Sequence, residues 1–138
     1  MSASEAPRRS DAYGLDDPFS TLGDSRDAGV REIVRRLNGS LGATLVAALA
    51  GASNATAARE WARDDGPGIE PEAAKRLCFA HVVWRIVADA EGAQVARAWF
   101  IGANPWLHDD TAVNAIRVGR LEDVAMAARA LAEDSHSG

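Results

Sequence analysis

Apolar positions recur at helical spacing along most of the chain. Val30, Ile33, Val34 and Leu37 follow a 3–4 rhythm, with Asp24 or Ser25 in front as a cap and Asn38-Gly39 behind as a stop. A second apolar stretch, about 41–50, halts at Gly51, where a left-handed cap suits glycine. Ser53 or Asn54 can cap a third helix that passes through Trp61 to about Arg63. Asp64-Asp65-Gly66-Pro67-Gly68 then breaks the pattern. Pro71 suits a first helical turn and opens the longest helix, about 71–90, with Leu77, Ala80, Val83, Trp84 and Val87 on one face. Residues 92–102 form the next, closed by Gly102 and Asn104-Pro105. Asp110 is placed to cap a short helix ending at Gly119, and Leu121 opens a last one carrying Val124, Ala127, Ala128 and Leu131. Nowhere do β-branched residues alternate with a period of two. The pattern predicts an all-α fold of about seven short helices, an N-terminal helix-turn-helix bundle followed by a small helical domain.

Before position 25 the rhythm fails. Residues 1–24 mix Ser, Asp, Pro, Gly and Arg with isolated Tyr13, Leu15, Phe19 and Leu22, too little to build a core, and read as a disordered arm. Three segments follow: the arm at 1–24, a helix-turn-helix region at 25–70 and a helical domain at 71–138. Aromatic residues make up only 6% of the chain, and alanine, the best helix former, takes their place. A net charge of −5 argues against a strongly basic nucleic-acid coat. Cys78 is the only cysteine, which excludes an intramolecular disulfide and a cysteine-based zinc cage. The longest clear apolar run, Leu45 to Ala50, falls far short of the roughly 18–20 residues of a membrane span. The first residues set acids among their arginines and lack the apolar heart of a signal peptide. A soluble, cytoplasmic protein with no membrane partner is expected.

No catalytic constellation emerges. His81, His108 and His136 share no metal-ligand spacing, and the carboxylates of Asp109 and Asp110 sit where a helix N-terminus favours them. Cys78, between Leu77 and Phe79, reads as a buried small hydrophobe. Gly66-Pro67-Gly68 lacks the Lys and Ser/Thr of a phosphate loop. Neither a metal nor a cofactor is expected.

The second and third predicted helices have the pattern of a helix-turn-helix: Leu45 to Ala50, a turn at Gly51-Ala52-Ser53, then Asn54 to Trp61. In such a motif the second helix offers its N-terminal side chains to the major groove. Asn54, Thr56, Arg59 and Arg63 are the DNA-binding candidates, and six arginines against three acids lie between Arg26 and Arg63. An ordinary helical hairpin with Trp61 as its core anchor accounts for the same pattern.

The second half carries a longer signature. Trp99, Asn104-Pro105-Trp106-Leu107, Thr111, Gly119, Glu122 and Val124 fall in the order of a Trp-bearing helix, an Asn-Pro-x-Leu turn, a capped helix ending in Gly, and a final helix. This stretch resembles the toxin-binding domain of the Xre/MbcA/ParS antitoxin family. Upstream, Gly51, Arg59, Trp61-Ala62-Arg63, Pro67 and Arg76-Leu77 resemble the Xre-type helix-turn-helix that precedes it, so the likeness spans about residues 41–133. Ala112 stands where the family has proline, Ala57-Ala58 where it has Thr-Val, and Asp64 where it has Gly. The resemblance implies the antitoxin of a type II pair, whose partner is a RES-domain toxin that consumes NAD+. It also implies a homodimer that binds operator DNA and represses its own promoter. Trp99 and Asn104 of this signature, with Arg117, Arg120, Arg129 and Glu133 as residues expected to be exposed on the last two helices and the tail, are the toxin-binding candidates, although Trp99, Asn104 and Pro105 read first as fold-determining. The rival is a free-standing helix-turn-helix regulator whose second half dimerises.

Overall fold

The computed structural model describes the backbone of residues 23–137 and the side chains of residues 28–135. Most of the arm expected at 1–24 lies outside the described residues. Seven α-helices are present among them, and no strand: α1 (Gly23–Leu41), α2 (Ala43–Ala50), α3 (Ala55–Trp61), α4 (Pro71–Glu91), α5 (Ala93–Ile101), α6 (Ala112–Arg117) and α7 (Leu121–Ser137). A 3-10 turn, Pro105–Leu107, joins α5 to α6. The all-α expectation holds.

Three boundaries differ from the sequence expectation. Asp24 and Ser25 lie inside the first turn of α1 and do not precede it. Asn38-Gly39 does not end α1, which runs on to Leu41 because Leu41 is buried in the core. The short helix before Gly119 is capped by Thr111, whose Oγ1 accepts from the Asn114 amide, with Asp110 one residue outside. Two corners consist of one glycine each. Gly42 (φ 92°, ψ 147°) separates α1 from α2, and Gly92 (φ 93°, ψ 162°) separates α4 from α5, in a backbone region almost closed to residues with a Cβ.

Buried residues from Val30 to Ala128 form a single cluster, with α1, α2 and α3 contributing on one side of position 70 and α4 to α7 on the other. Helix α4 lies along α7, and the Ser135 hydroxyl donates to the Glu91 carboxylate where the two helices end. Phe100 is fully buried between Trp84 (ring centroids 6.0 Å) and Trp99 (5.5 Å, edge-on). Arg97 of α5 donates to the Leu41 carbonyl at 2.9 Å, tying α5 to the end of α1. No helix among the described residues is long and apolar enough to cross a membrane.

Candidate functional site

Two surfaces gather the sequence candidates. The first is built on α2 and α3. Gly51 adopts the left-handed conformation (φ 96°) that stops α2, and Asn54 caps α3 by accepting from the Thr56 amide at 2.9 Å. Asn54 therefore spends its side-chain oxygen on the helix end. Thr56, Arg59 and Arg63 are exposed, while Trp61 packs partly buried against the core.

Most arginines around this helix are engaged within the chain. Arg63 forms a forked pair with Asp65, Nε to Oδ1 at 3.1 Å and Nη2 to Oδ2 at 3.2 Å. Its hydrogen bond to Asp65 raises the Arg63 pKa and holds the carboxyl of Asp65 below its ordinary value. Arg35 donates to Glu32 (3.0 Å), Asp64 (3.2 Å) and the Ala62 carbonyl, and Arg36 donates to Glu32 at 3.0 Å. The hydrogen bonds from Arg36 and then Arg35 keep Glu32 more acidic than usual. Arg59 makes no ion pair among the described residues.

Arg31 could have joined Arg35 and Arg36 as a basic contact surface, but it is buried, with 6% of its surface exposed. Its guanidinium donates to four carbonyls: Trp61 (3.0 Å), Arg63 (3.1 Å), Gly66 (3.0 Å) and Pro67 (2.8 Å). These carbonyls satisfy the donors of a cation removed from water, and the C-terminal end of α3 supplies favourable partial charge. Arg31 thus fastens the loop that follows α3 to α1. Gly66 is required there, since a Cβ would lie 1.9 Å from the Glu60 carbonyl oxygen. Periodicity offered a signal for Arg31: with Val34, Asn38 and Leu41 it follows the 3–4–3 spacing of an inward face.

The second surface is the corner from α5 to α7. Asn104, only 7% exposed, organises it. Its Oδ1 accepts from the Trp106 amide (2.9 Å), its carbonyl accepts from Leu107 (2.8 Å) and Asp109 (2.9 Å), and its own amide donates to the Asp110 carbonyl (3.0 Å). The return passes through His108 and Asp109, both left-handed (φ 57° and 67°). Asp110 accepts from the Thr111 amide and from Asn114 Nδ2, each at 2.8 Å. Those bonds, with Asn114 the stronger influence and Arg120 nearby, lower its pKa. Arg120 reaches Asp123 at 3.2 Å, Asp110 at 3.5 Å and the Leu107 carbonyl at 3.4 Å.

The six toxin-binding candidates divide. Asn104 and Arg120 are committed to the corner, and Trp99 is half-buried edge-on against Phe100. Arg117, Arg129 and Glu133 are exposed, on α6 and α7. Trp106, which the sequence placed only within the turn, is 58% exposed although its backbone is held rigidly. Trp99 and Trp106 line a groove of ≈340 Å³ together with Ala127, Leu131 and Asp134 of α7.

Among the described residues no group of His, Cys, Asp and Glu side chains could hold a metal ion. Cys78 is partly buried on α4. Burial, with Arg36 and Arg85 nearby, lowers the His81 pKa. Comparison with protein-family models, with curated proteins and with solved structures finds no match.

Proposed function

We propose that this chain is the antitoxin of a type II toxin–antitoxin pair, a non-catalytic protein that binds and blocks a RES-domain, NAD+-consuming toxin. The observation that carries the reading is the α5–α7 corner. The residues that bear the family resemblance have physical tasks in one contiguous place: Asn104 and Leu107 buried in the turn, Thr111 capping α6, Gly119 turning at φ 87°, and Val124 buried on α7. Such a corner holds Trp106 and Arg117 outward on short elements fixed by local hydrogen bonds, with Arg129 exposed on α7 beside them, which lowers the ordering cost of binding a protein partner.

The α2–α3 surface is proposed to meet operator DNA, chiefly through Arg59 and Thr56. The test asks whether the adjacent reading frame encodes a RES-domain toxin, co-expresses the full chain with such a toxin, and follows growth and cellular NAD+. Restored NAD+ at matched expression is expected. Continued NAD+ loss, with the chain folded and in excess, would overturn the antitoxin assignment and favour the free-standing regulator.

A further inference from the structure

We propose that the groove between α5, the 3-10 turn and α7 is a docking site for an arginine or lysine side chain presented by a protein partner. The inference rests on the lining of the groove and holds whether or not that partner is a toxin. Trp106 is a large apolar side chain that the fold leaves 58% exposed while fixing its backbone through Asn104. Such a preformed tryptophan is a typical anchor of a protein interface. Trp99 supplies a second indole to the lining, and Gly102 adds no side chain to it.

Charge selects the occupant. Among the described residues Asp134 is the one charged residue lining the groove; it is exposed and makes no ion pair with another of them. Indole faces attract cations through their quadrupole, and an arginine or lysine stem packs on apolar surface while its head stays polar. A carboxylate entering here would meet Asp134 with no cation in the lining to offset the repulsion. A purely aliphatic side chain would desolvate Asp134 with nothing in return. Two further grooves among the described residues lack this pairing: one is lined by Lys75 and the Gly119–Asp123 turn, and the second carries Trp61 as its one aromatic, beside Glu70.

The four tryptophans provide the readout. The 15N-labelled full chain is titrated with acetyl-Leu-Arg-Leu-amide and, separately, with acetyl-Leu-Glu-Leu-amide, following the indole N–H signals. The arginine peptide should move Trp99 and Trp106 saturably and leave Trp61 and Trp84 in place. The glutamate peptide should bind at least roughly tenfold more weakly. Asp134→Asn should weaken the arginine peptide several-fold with thermal unfolding unchanged, and Trp106→Ala should remove its binding while the chain stays folded, since both side chains are exposed. Equal response to the two peptides, or an unaltered affinity in Asp134→Asn, would overturn the proposal. So would a Trp106 signal that moves on dilution, which means a second copy fills the groove. A Trp106 signal that moves in the free Arg8→Ala/Arg9→Ala chain would overturn it too, because the chain's own N-terminal segment is then the occupant.

Discussion

The α2–α3 surface and the α5–α7 corner solve the same problem, holding a short helix at a fixed angle, by different chemistry. The first relies on one long side chain: Arg31 gathers four carbonyls from a loop some thirty residues away. The second relies on local bonds, with Asn104 and Asp110 closing a turn whose partners are near in sequence. Their outward charges differ too. Around α3 the arginines at 35, 36 and 63 are paired with nearby acids, whereas Arg117, Arg129 and Asp134 of the corner make no ion pair among the described residues. The pairing around α3 leaves Arg59 as the main charge for the proposed DNA contact, whereas the corner sets charges without an ion pair among the described residues beside an exposed indole.

The comparison can be broken most forcefully in the core beneath the corner. Phe100→Ala should cost ~3–5 kcal/mol, as truncation of a fully buried aromatic does. Trp99→Ala, half-buried, should cost about 2 kcal/mol, and urea unfolding separates the two. If Trp99 proves as costly as Phe100, the corner depends on both rings equally.

Arg31→Met should cost about 2–4 kcal/mol, because several loop carbonyls lose charged donors at once. Hydrogen exchange should then accelerate at residues 62–67 and stay unchanged at 104–111. Exchange rising equally in both regions would mean that the two are not independently held.

DNA binding sharpens the contrast in charge. If α3 makes the proposed operator contact, Arg59→Ala should weaken promoter affinity several-fold and flatten its salt dependence. Arg63→Ala should do less, because Asp65 already occupies that guanidinium. Equal losses would show that DNA displaces Asp65 at little cost, as the small net worth of exposed ion pairs allows.

The smallest effect concerns pH. Because the folded chain lowers the pKa of His81, its contribution to stability is complete above the ordinary imidazole value. It is lost as pH falls through the lowered one. His81→Gln should flatten thermal stability over that acid interval and leave it unchanged at neutral pH. An unchanged slope would place the titration elsewhere.

Much of this was legible because it is local. Gly51, Asn54, Pro71 and Leu121 mark helix ends through properties of single residues, and the structure has each at its end. The expected stop at Asn38-Gly39 failed because a glycine inside a helix costs only ~0.5–1 kcal/mol, less than is gained by burying Leu41. Thr111 and Asp110 are both competent caps, and only the path of the backbone chose between them. Of the site, the Asn-Pro turn was readable, but the exposure of Trp106 and the groove facing α7 depend on how distant helices pack. The burial of Arg31 had a periodic signal, yet the carbonyls that receive it could not be read from any spacing.

The two single-glycine corners also bear on the order of events in folding. A joint of one residue leaves almost no loop to close before α1 meets α2 or α4 meets α5, and closure entropy grows with loop length. Contacts within each pair are near in sequence, the kind that speeds folding across small proteins. What remains is the meeting of preassembled pairs, with α7 arriving along α4 from further down the chain. Gly42→Ala, which strains one joint, should therefore slow refolding more than it speeds unfolding. A stopped-flow chevron in which only the unfolding limb moves would place that corner late in the sequence of events.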